Sequence, residues 1–179
     1  MQCRSARSPI DHSHAVGCYE GPLREAIHRL KYGGRTALAG PLGTMLADAV
    51  IAGRKGDGQP ADAIVPVPLH WWRARMRGFN QSHLLAEAAS ERLGISIAHR
   101  ALRRIRYTPP QIQLASADRE VNVQGAFAAG EVTALTGKHV LIVDDVMTTM
   151  ATVTECARVL RACGVQTITV AAVARATRG

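Results

Sequence analysis

Apolar residues in the last part of the chain follow first a strand period and then a helix period. Residues 140–143 read Val-Leu-Ile-Val without a polar interruption, which is typical of a parallel strand buried on both faces. Beyond a short polar segment, apolar residues recur at spacings of three and four and predict a helix. They are Val153, Cys156, Ala157 and Leu160. Gly164 ends this helix and residues 165–173 predict another strand, so the order favours a right-handed parallel crossover.

The earlier part of the chain alternates between the same two patterns. Gly21-Pro22 opens a helix with an apolar stripe that reaches Leu30, and a second helical pattern covers residues 37–52. Residues 62–68 predict a short strand whose pairing stops near Pro66, because proline cannot donate to a sheet ladder. We therefore expect an α/β fold with a central parallel sheet flanked by helices.

Two stretches lack a clear period. Residues 1–20 predict an irregular N-terminal arm, which leaves one domain over residues 21–179, and the segment up to residue 35 is a candidate for a small irregular hood. Residues 100–123 are basic at first and then rich in proline and polar residues. A loop of this length inside a compact domain is often functional. From composition alone, a mobile lid and a packed surface excursion are equally good interpretations.

Two carboxylates, Asp144 and Asp145, directly follow the apolar run. They are expected at the carboxyl edge of a central strand, where open α/β sheets bind ligands. Thr148 or Thr149 is a candidate N-cap of the next helix, and the free N–H groups at a helix N-terminus form an anion site. Acids beside a phosphate cradle suit a sugar phosphate, since the acids can bind ribose hydroxyls or a magnesium ion. The alternative is a buried strand that ends in two solvated aspartates and caps a helix.

A second candidate anion site follows the strand at residues 62–68. The loop after it carries Arg73 and Arg77, and Asn80 is a candidate N-cap for another helix. The net charge is +8, and residues 66–106 contain eight arginines against two glutamates. Such a surface attracts polyanions, either a phosphorylated small molecule or a nucleic acid.

Composition narrows the classes of function. Only 4% of residues are aromatic, so a row of stacking platforms for single strands is not expected, and Trp71 and Trp72 are interpreted mainly as packing residues. We find no apolar run long enough to span a bilayer and, in residues 1–5, no apolar core of a signal peptide. The expectation is a cytoplasmic protein without membrane insertion.

Residues 140–152 resemble the signature with which type I phosphoribosyltransferases bind 5-phosphoribosyl 1-pyrophosphate (PRPP). That signature is a hydrophobic strand, two acids and then Thr-Thr-Gly-x-Thr, and Met150 stands at the position of its glycine. Glycine readily takes a positive φ in such a loop, whereas the Cβ of methionine makes that conformation strained. We therefore expect ordinary helical angles at Met150 and a phosphate affinity below that of a glycine loop.

Further blocks narrow the resemblance to the competence protein F (ComF) family. They are Lys31-Tyr32-Gly33-Gly34-Arg35, Val65-Pro66-Val67-Pro68-Leu69, Arg77-Gly78-Phe79-Asn80-Gln81, Thr108-Pro109-Pro110-Gln111, and Arg119 and Asn122 with Ala126-Phe127. The resemblance runs roughly from residue 8 to the C-terminus. It implies a type I phosphoribosyltransferase fold and a role linked to DNA uptake or recombination. Many members carry an N-terminal cysteine cluster, but this chain has Cys3 with Ala6 in place of the partner, so we expect no zinc.

The first functional hypothesis is an enzyme that displaces pyrophosphate from C1 of PRPP with a nitrogen nucleophile. The carboxylates of Asp144 and Asp145 would orient the ribose and hold Mg²⁺, directly or through water. The 5′-phosphate loop would consist of Val146, Met147, Thr148, Thr149, Met150, Ala151 and Thr152. The pyrophosphate side would consist of Pro66, Val67, Pro68, Arg73 and Arg77. Arg77 would also stabilise the leaving group, and Arg119 would close over the site from a lid.

The second hypothesis is a binding module. The same pocket would sense PRPP or a nucleotide, while the basic face binds DNA or a DNA-processing protein. A third interpretation, purely electrostatic DNA binding, leaves the acid pair unexplained. The sequence names neither an acceptor base nor an oligomeric state.

Overall fold

The computed structural model describes residues 8–54, 59–108 and 122–176. Its strands are β1 (His12–Cys18), β2 (Ala63–Pro66), β3 (Leu102–Arg104), β4 (Phe127–Ala129), β5 (His139–Met147) and β6 (Thr167–Arg175). Its helices are α1 (Gly21–Tyr32), α2 (Ala39–Gly53), α3 (Trp71–Arg77), α4 (Gln81–Leu93) and α5 (Ala151–Ala162), with short 3₁₀ helices at Thr36–Leu38 and Thr133–Leu135. A parallel sheet in the order β1-β6-β5-β2 forms the centre, and β3 pairs with β4 in a separate antiparallel sheet.

Strand β5 is buried on both faces because its apolar residues alternate between two cores. Val140 and Ile142 belong to a first core with α5 and the β3–β4 pair. Leu141 and Val143 belong to a second core with α1, α2 and α4. Burying one such side chain contributes about 1.5–3 kcal/mol, so the strand that carries the acid pair is firmly held. The expected central parallel sheet flanked by helices is confirmed.

Helices α2 and α4 approach each other closely at Gly43. A Cβ added there would lie 2.6 Å from the Cβ of Ala88 and 2.7 Å from the carbonyl oxygen of Leu85. The absence of a side chain at Gly43 therefore lets α2 pack directly on the backbone of α4. This contact helps to position α4, whose first turn reaches the acid pair.

One stretch is long and apolar enough to cross a membrane by length and composition, contrary to our expectation. The residues are Thr36–Gly53, with a mean hydropathy of 1.3 over 18 residues. In the structure this stretch contains α2, whose residues Leu42, Leu46 and Val50 are buried in the second core. The core helices of α/β domains pass the same test, so this stretch is weak evidence for a membrane span.

The prediction of an irregular arm over residues 1–20 is wrong for part of that segment. His12–Cys18 form β1, which pairs in parallel with β6. The sequence His-Ser-His-Ala-Val-Gly-Cys is poor in branched apolar residues, so pairing with a buried neighbour, and not its own pattern, makes it a strand. The described part of the expected hood is regular, since it contributes β1 to the central sheet and then α1, which ends beside the acid pair. Residues 1–7, including Cys3 and Ala6, lie outside the described residues.

Part of residues 100–123, which lack a clear apolar period, forms regular secondary structure. Leu102–Arg104 form β3, which pairs with β4, and Thr108 is buried. Residues 109–121, which include Arg119, lie outside the described residues. The lid and the role of Arg119 therefore stay predictions.

Candidate phosphoribosyl site

The acid pair lies near the carboxyl end of β5, where the sheet narrows. Strand β2 pairs with β5 only as far as Pro66↔Val143, whereas β6 stays paired with β5 beyond that point. Asp144 is the first residue past the pairing with β2, although both acids lie within β5 and not after it. Asp144 is 8% exposed and Asp145 is 4% exposed. The acids are thus nearly buried, which contradicts the alternative of two solvated aspartates.

Asp144 is held by the first turn of α4. Its Oδ1 accepts hydrogen bonds from Ser82 Oγ at 3.0 Å and from the backbone N–H of Asp145 at 2.9 Å. Burial raises the pKa of Asp144 to about 6. The positive charges of Lys31 and Arg104 and the hydrogen bond from Ser82 oppose this rise. The carboxyl group therefore changes its charge just below neutral pH.

Asp145 meets Lys31, which extends from the last turn of α1. The Lys31 Nζ forms an ion pair with Asp145 Oδ2, and the lysine side chain is only 20% exposed. Asp145 Oδ2 receives no well-oriented hydrogen bond from the described residues, so the ammonium group holds it chiefly by charge. Burial lowers the pKa of Lys31 to about 8. The charge of Asp144 opposes this shift, whereas Arg77 and Arg73 reinforce it.

The loop after β5 takes a left-handed conformation at Met150. This residue has φ 66° and ψ −5° and is the N-cap of α5. Among the described residues it is the only one other than glycine with a positive φ. Our expectation of ordinary helical angles is therefore wrong. The Met150 side chain packs against the first core, and this contact offsets a backbone strain of roughly 1–2 kcal/mol.

Thr148 and Thr149 precede the helix, but neither is its N-cap, so that expectation is also wrong. Thr149 Oγ1 is buried and has no hydrogen-bond partner in the described part of the chain. A buried polar group left in this state costs about 1–3 kcal/mol. Asp144 and the loop line a concavity of about 20 Å³. That is close to the space of one water molecule, so a phosphate would lie over the loop with an oxygen in the concavity.

The backbone at residues 66–68 holds α4 in place. The N–H of Val67 donates to the carbonyl of Val143 at 2.9 Å, and the Val67 carbonyl accepts from Asn80 Nδ2 at 3.0 Å. Pro66 and Pro68 have no N–H. This stretch therefore has no unpaired backbone donor for a ligand, and a pyrophosphate contact here depends on side chains.

The predicted arginines lie on α3 beside Lys31. Arg73 and Arg77 line a cleft of about 430 Å³ together with Lys31, Tyr32 and other residues of α3 and its neighbours. Arg77 Cζ lies 5.2 Å from the centroid of the Tyr32 ring, and burial lowers the pKa of Arg77. Arg73 is fixed differently, since its Nη2 donates to the carbonyl of Thr108 at 2.8 Å. The cleft is thus positively charged and connects to the acid pair through Lys31.

Three side chains of the site were missed by the sequence analysis, namely Lys31, Ser82 and Arg104. Burial and the charge of Arg73 lower the pKa of Arg104, and Asp144 opposes this shift, so Arg104 belongs to the same charge cluster. The sequence analysis gave Lys31 no role in the site. Its presence in a block that carries the family resemblance was a signal for a site role, and Ser82 directly follows another such block. No sequence signal distinguishes Arg104 from the neighbouring arginines.

The two tryptophans are exposed, which favours base stacking over packing as their interpretation. Trp71 is 65% exposed and Trp72 is 49% exposed, and their rings meet edge to face. Tyr107 is also exposed, and Arg73 Cζ lies 5.5 Å from the centroid of its ring. His70 contacts both Trp71 and Tyr107 and joins them into one surface. We call Trp71, Trp72 and Tyr107 the aromatic surface.

The carboxylates are poorly arranged to hold a resident magnesium ion. Asp145 Oδ2 is paired with Lys31, and Asp144 Oδ1 already accepts two hydrogen bonds. Within the described ranges, no group of three or more His, Cys, Asp or Glu side chains could hold a metal ion. Magnesium requires near-octahedral oxygen ligation, and this donor set does not fit it while Lys31 is in place.

A strand that ends in buried acids, followed by a left-handed loop and a helix, defines a phosphoribosyltransferase-like protein. The chain matches the family model described as a phosphoribosyl transferase domain over residues 82–179, more than half of its length. The glutamine PRPP amidotransferase of B. subtilis, solved in complex with ADP and GMP, has a similar fold, with a TM-score of 0.52 and 24% identity. The match covers 80% of this chain but only 30% of the amidotransferase chain.

Two curated relatives cover nearly the whole chain. The DNA utilization protein YhgH of Salmonella typhi is 35% identical over 170 residues, which are 94% of this chain and 74% of the relative. The competence protein F of Haemophilus influenzae is 34% identical over 176 residues, which are 97% of this chain and 77% of the relative. The chain therefore belongs to the competence protein F family, as the resemblance of its sequence blocks predicted.

Proposed function

We propose that this protein binds PRPP at the end of β5 and transfers or senses the phosphoribosyl group. The proposal is supported chiefly by the position of the acid pair, which borders the loop concavity on one side and contacts Lys31 of the arginine-lined cleft on the other. Asp144 borders the concavity of the left-handed loop, whereas Asp145 pairs with Lys31, which lines the arginine cleft. PRPP has the same order of groups, since its ribose hydroxyls lie between a 5′-phosphate and a pyrophosphate.

Each group of PRPP then has a partner of suitable chemistry. The 5′-phosphate would contact the N-terminus of α5, where Thr148, Ala151 and Thr152 line the concavity. The ribose hydroxyls would donate to the carboxylates of Asp144 and Asp145. The pyrophosphate would contact Arg73 and Arg77, whose guanidinium groups make charge-assisted hydrogen bonds.

Transfer of the phosphoribosyl group would form a bond between C1 and a nitrogen nucleophile while the bond from C1 to the pyrophosphate oxygen breaks. The pyrophosphate leaves with the electron pair, and negative charge grows on it as positive charge grows on the sugar ring. The arginines of α3 would stabilise the first charge and the carboxylates the second. A sensor would use the same contacts without a nucleophile.

We propose the cytoplasm as the compartment, on the sequence alone.

A calorimetric titration with PRPP, combined with an assay of pyrophosphate release over a panel of nitrogen bases, tests the proposal. Binding with release supports an enzyme, and binding without release supports a sensor. Arg77→Ala should weaken binding about tenfold or more and lower its salt dependence, because a hydrogen bond to a charged group is worth about 1.5–3 kcal/mol.

Arg75→Ala is the matched control, since Arg75 lies on the same helix, is exposed and does not line the cleft. Its effect on PRPP affinity should stay within about twofold. An equal loss in both variants would refute the role of Arg77, and the absence of both binding and release in the wild type would refute the proposed function.

A second candidate function is the binding of single-stranded nucleic acid, and the aromatic surface favours it. Exposed rings beside arginines bind bases by stacking and phosphates by charge, with about 1–3 kcal/mol for each stacked base. Trp71 and Trp72 are the only tryptophans of the chain, so their fluorescence reports on this surface alone. Titration with an oligo-dT should quench it, and added salt should weaken the binding. Unchanged fluorescence at low salt would exclude this function for the surface.

A further inference from the structure

Lys31 is placed as a built-in counter-ion of the acid pair. It lies in the last turn of α1, which ends at Tyr32 with Gly33 as its C-cap, and Gly34 follows with φ 62°. Its Nζ contacts Asp145 Oδ2, and its side chain is largely buried against the end of β5. An ammonium group has three donors, so Lys31 can hold Asp145 and still donate to a ligand.

The charge around the acid pair is already positive without a metal ion. Lys31, Arg73 and Arg77 influence one another, and Arg104 interacts with both Arg73 and Asp144. Lys31 thus pairs with Asp145 and lines a cleft with Arg73 and Arg77, and the charge of Arg104 acts on Asp144. A divalent cation that entered beside Lys31 would be repelled in a nearly buried site, where like charges interact more strongly than in water. A phosphorylated ligand would instead be attracted.

We propose that Lys31 takes the place of a divalent cation at Asp144 and Asp145, so that the site binds a phosphorylated sugar without a metal ion held by these acids. This inference rests on the proposed function for the identity of the ligand. It replaces the Mg²⁺ that the sequence analysis expected at the acid pair with an amino group that the chain itself supplies.

The first arm of the test measures metal binding without any ligand. Mn²⁺ is titrated into the protein and its free fraction is followed by electron paramagnetic resonance. The wild type should show no site tighter than about millimolar. Lys31→Met keeps an unbranched side chain but removes the charge, and should bind Mn²⁺ at least tenfold more tightly. Tight Mn²⁺ binding by the wild type, unchanged in Lys31→Met, would overturn the inference whatever PRPP does.

The second arm titrates PRPP into the wild type in EDTA and again in Mg²⁺. The two affinities should agree within about threefold, whereas binding that appears only with Mg²⁺ would overturn the inference and leave the proposed function intact. An absence of binding in both conditions would refute the proposed function, and the Mn²⁺ arm would still decide the role of Lys31. Both arms use the wild type, so a failure of Lys31→Met to fold leaves the test complete.

Lys138→Met is the matched lysine control. Lys138 lies next to the opposite end of β5 and forms an exposed ion pair with Asp62 at 3.6 Å. The same substitution there should change neither Mn²⁺ binding nor the comparison between EDTA and Mg²⁺. An effect equal to that of Lys31→Met would show that net charge, and not the position of Lys31, governs metal binding.

Discussion

The left-handed conformation of Met150 makes a specific prediction about Met150→Gly. A residue with a Cβ at φ 66° carries about 1–2 kcal/mol of strain, which glycine removes. Glycine also loses the contacts of a partly buried side chain with the first core, worth about 1–2 kcal/mol, and increases the entropy of the unfolded chain, which costs about 0.4–1 kcal/mol. The net change in the free energy of unfolding should be a loss of about 0–1 kcal/mol.

Met150→Ala separates strain from packing. Alanine loses the same side-chain contacts but keeps a Cβ, so the strain remains and the loss should be about 1–2 kcal/mol. The glycine variant should therefore be more stable than the alanine variant, by about 0.5–1 kcal/mol. Urea unfolding of the three proteins measures this order. An alanine variant as stable as the glycine variant, or more so, would refute the argument from strain.

Ligand affinity is expected to respond differently. The strain is present before the ligand binds and remains afterwards, so it cancels from the binding free energy. Since the loop already has the backbone conformation that glycine favours, Met150→Gly should change the affinity for PRPP by no more than about threefold. Calorimetric titration measures the change. A tightening of tenfold, which corresponds to about 1.4 kcal/mol, would show that Met150 hinders the phosphate and that the loop must move to bind it.

Three further variants test the surroundings of the acid pair. Because the pKa of Asp144 is about 6 in the folded protein and about 4 in unfolded chains, the folded state binds more protons between these values, and stability should fall as the pH rises through them. Asp144→Asn should remove this dependence of stability on pH and should stabilise the protein at pH 7 by about 1–3 kcal/mol, as measured by urea unfolding. An unchanged pH dependence would contradict the assignment of the raised pKa to Asp144. Ser82→Ala removes a hydrogen bond to the carboxylate, so an NMR titration should show the pKa of Asp144 rising further, and a fall would contradict the contact. Gly43→Ala should destabilise the protein by about 1–3 kcal/mol, because the added Cβ would clash with Ala88. Gly40→Ala is the control and should not destabilise the protein, since a Cβ added there would have nothing within 4 Å. Equal effects of the two substitutions would contradict the packing of α2 on α4.

The parts of the fold that could be predicted from the sequence are those with a strong apolar pattern. Strand β5 reads as a continuous apolar run because both of its faces are covered, and α5 shows its buried stripe at helical spacing. Strand β1 could not be predicted in this way. His12 and His14 interrupt its apolar pattern, and its conformation follows from pairing with β6, which is distant in sequence.

The candidate site also has a part that could be predicted from the sequence and a part that could not. The acids and the loop were predicted because they come directly after the apolar run 140–143, at the carboxyl edge of the sheet where α/β proteins bind ligands. Lys31 and Arg104 were missed because their roles depend on the directions of long side chains from α1 and β3, which only tertiary packing determines. The conformation of Met150 was predicted wrongly because the local cost of a left-handed residue was considered without the core contact that offsets it.

Three costly features of the described structure lie in the segment from β5 to α5. Asp144 is buried with a raised pKa, Thr149 has a buried hydroxyl without a partner, and Met150 is strained. Each of the three carries a cost in the folded protein without a ligand. Such exceptions to local rules are expected where a site is built for a ligand. Because Lys31 adds a buried cation from a distant helix to the same place, the segment is better explained as a preorganised anion site than as a structural turn.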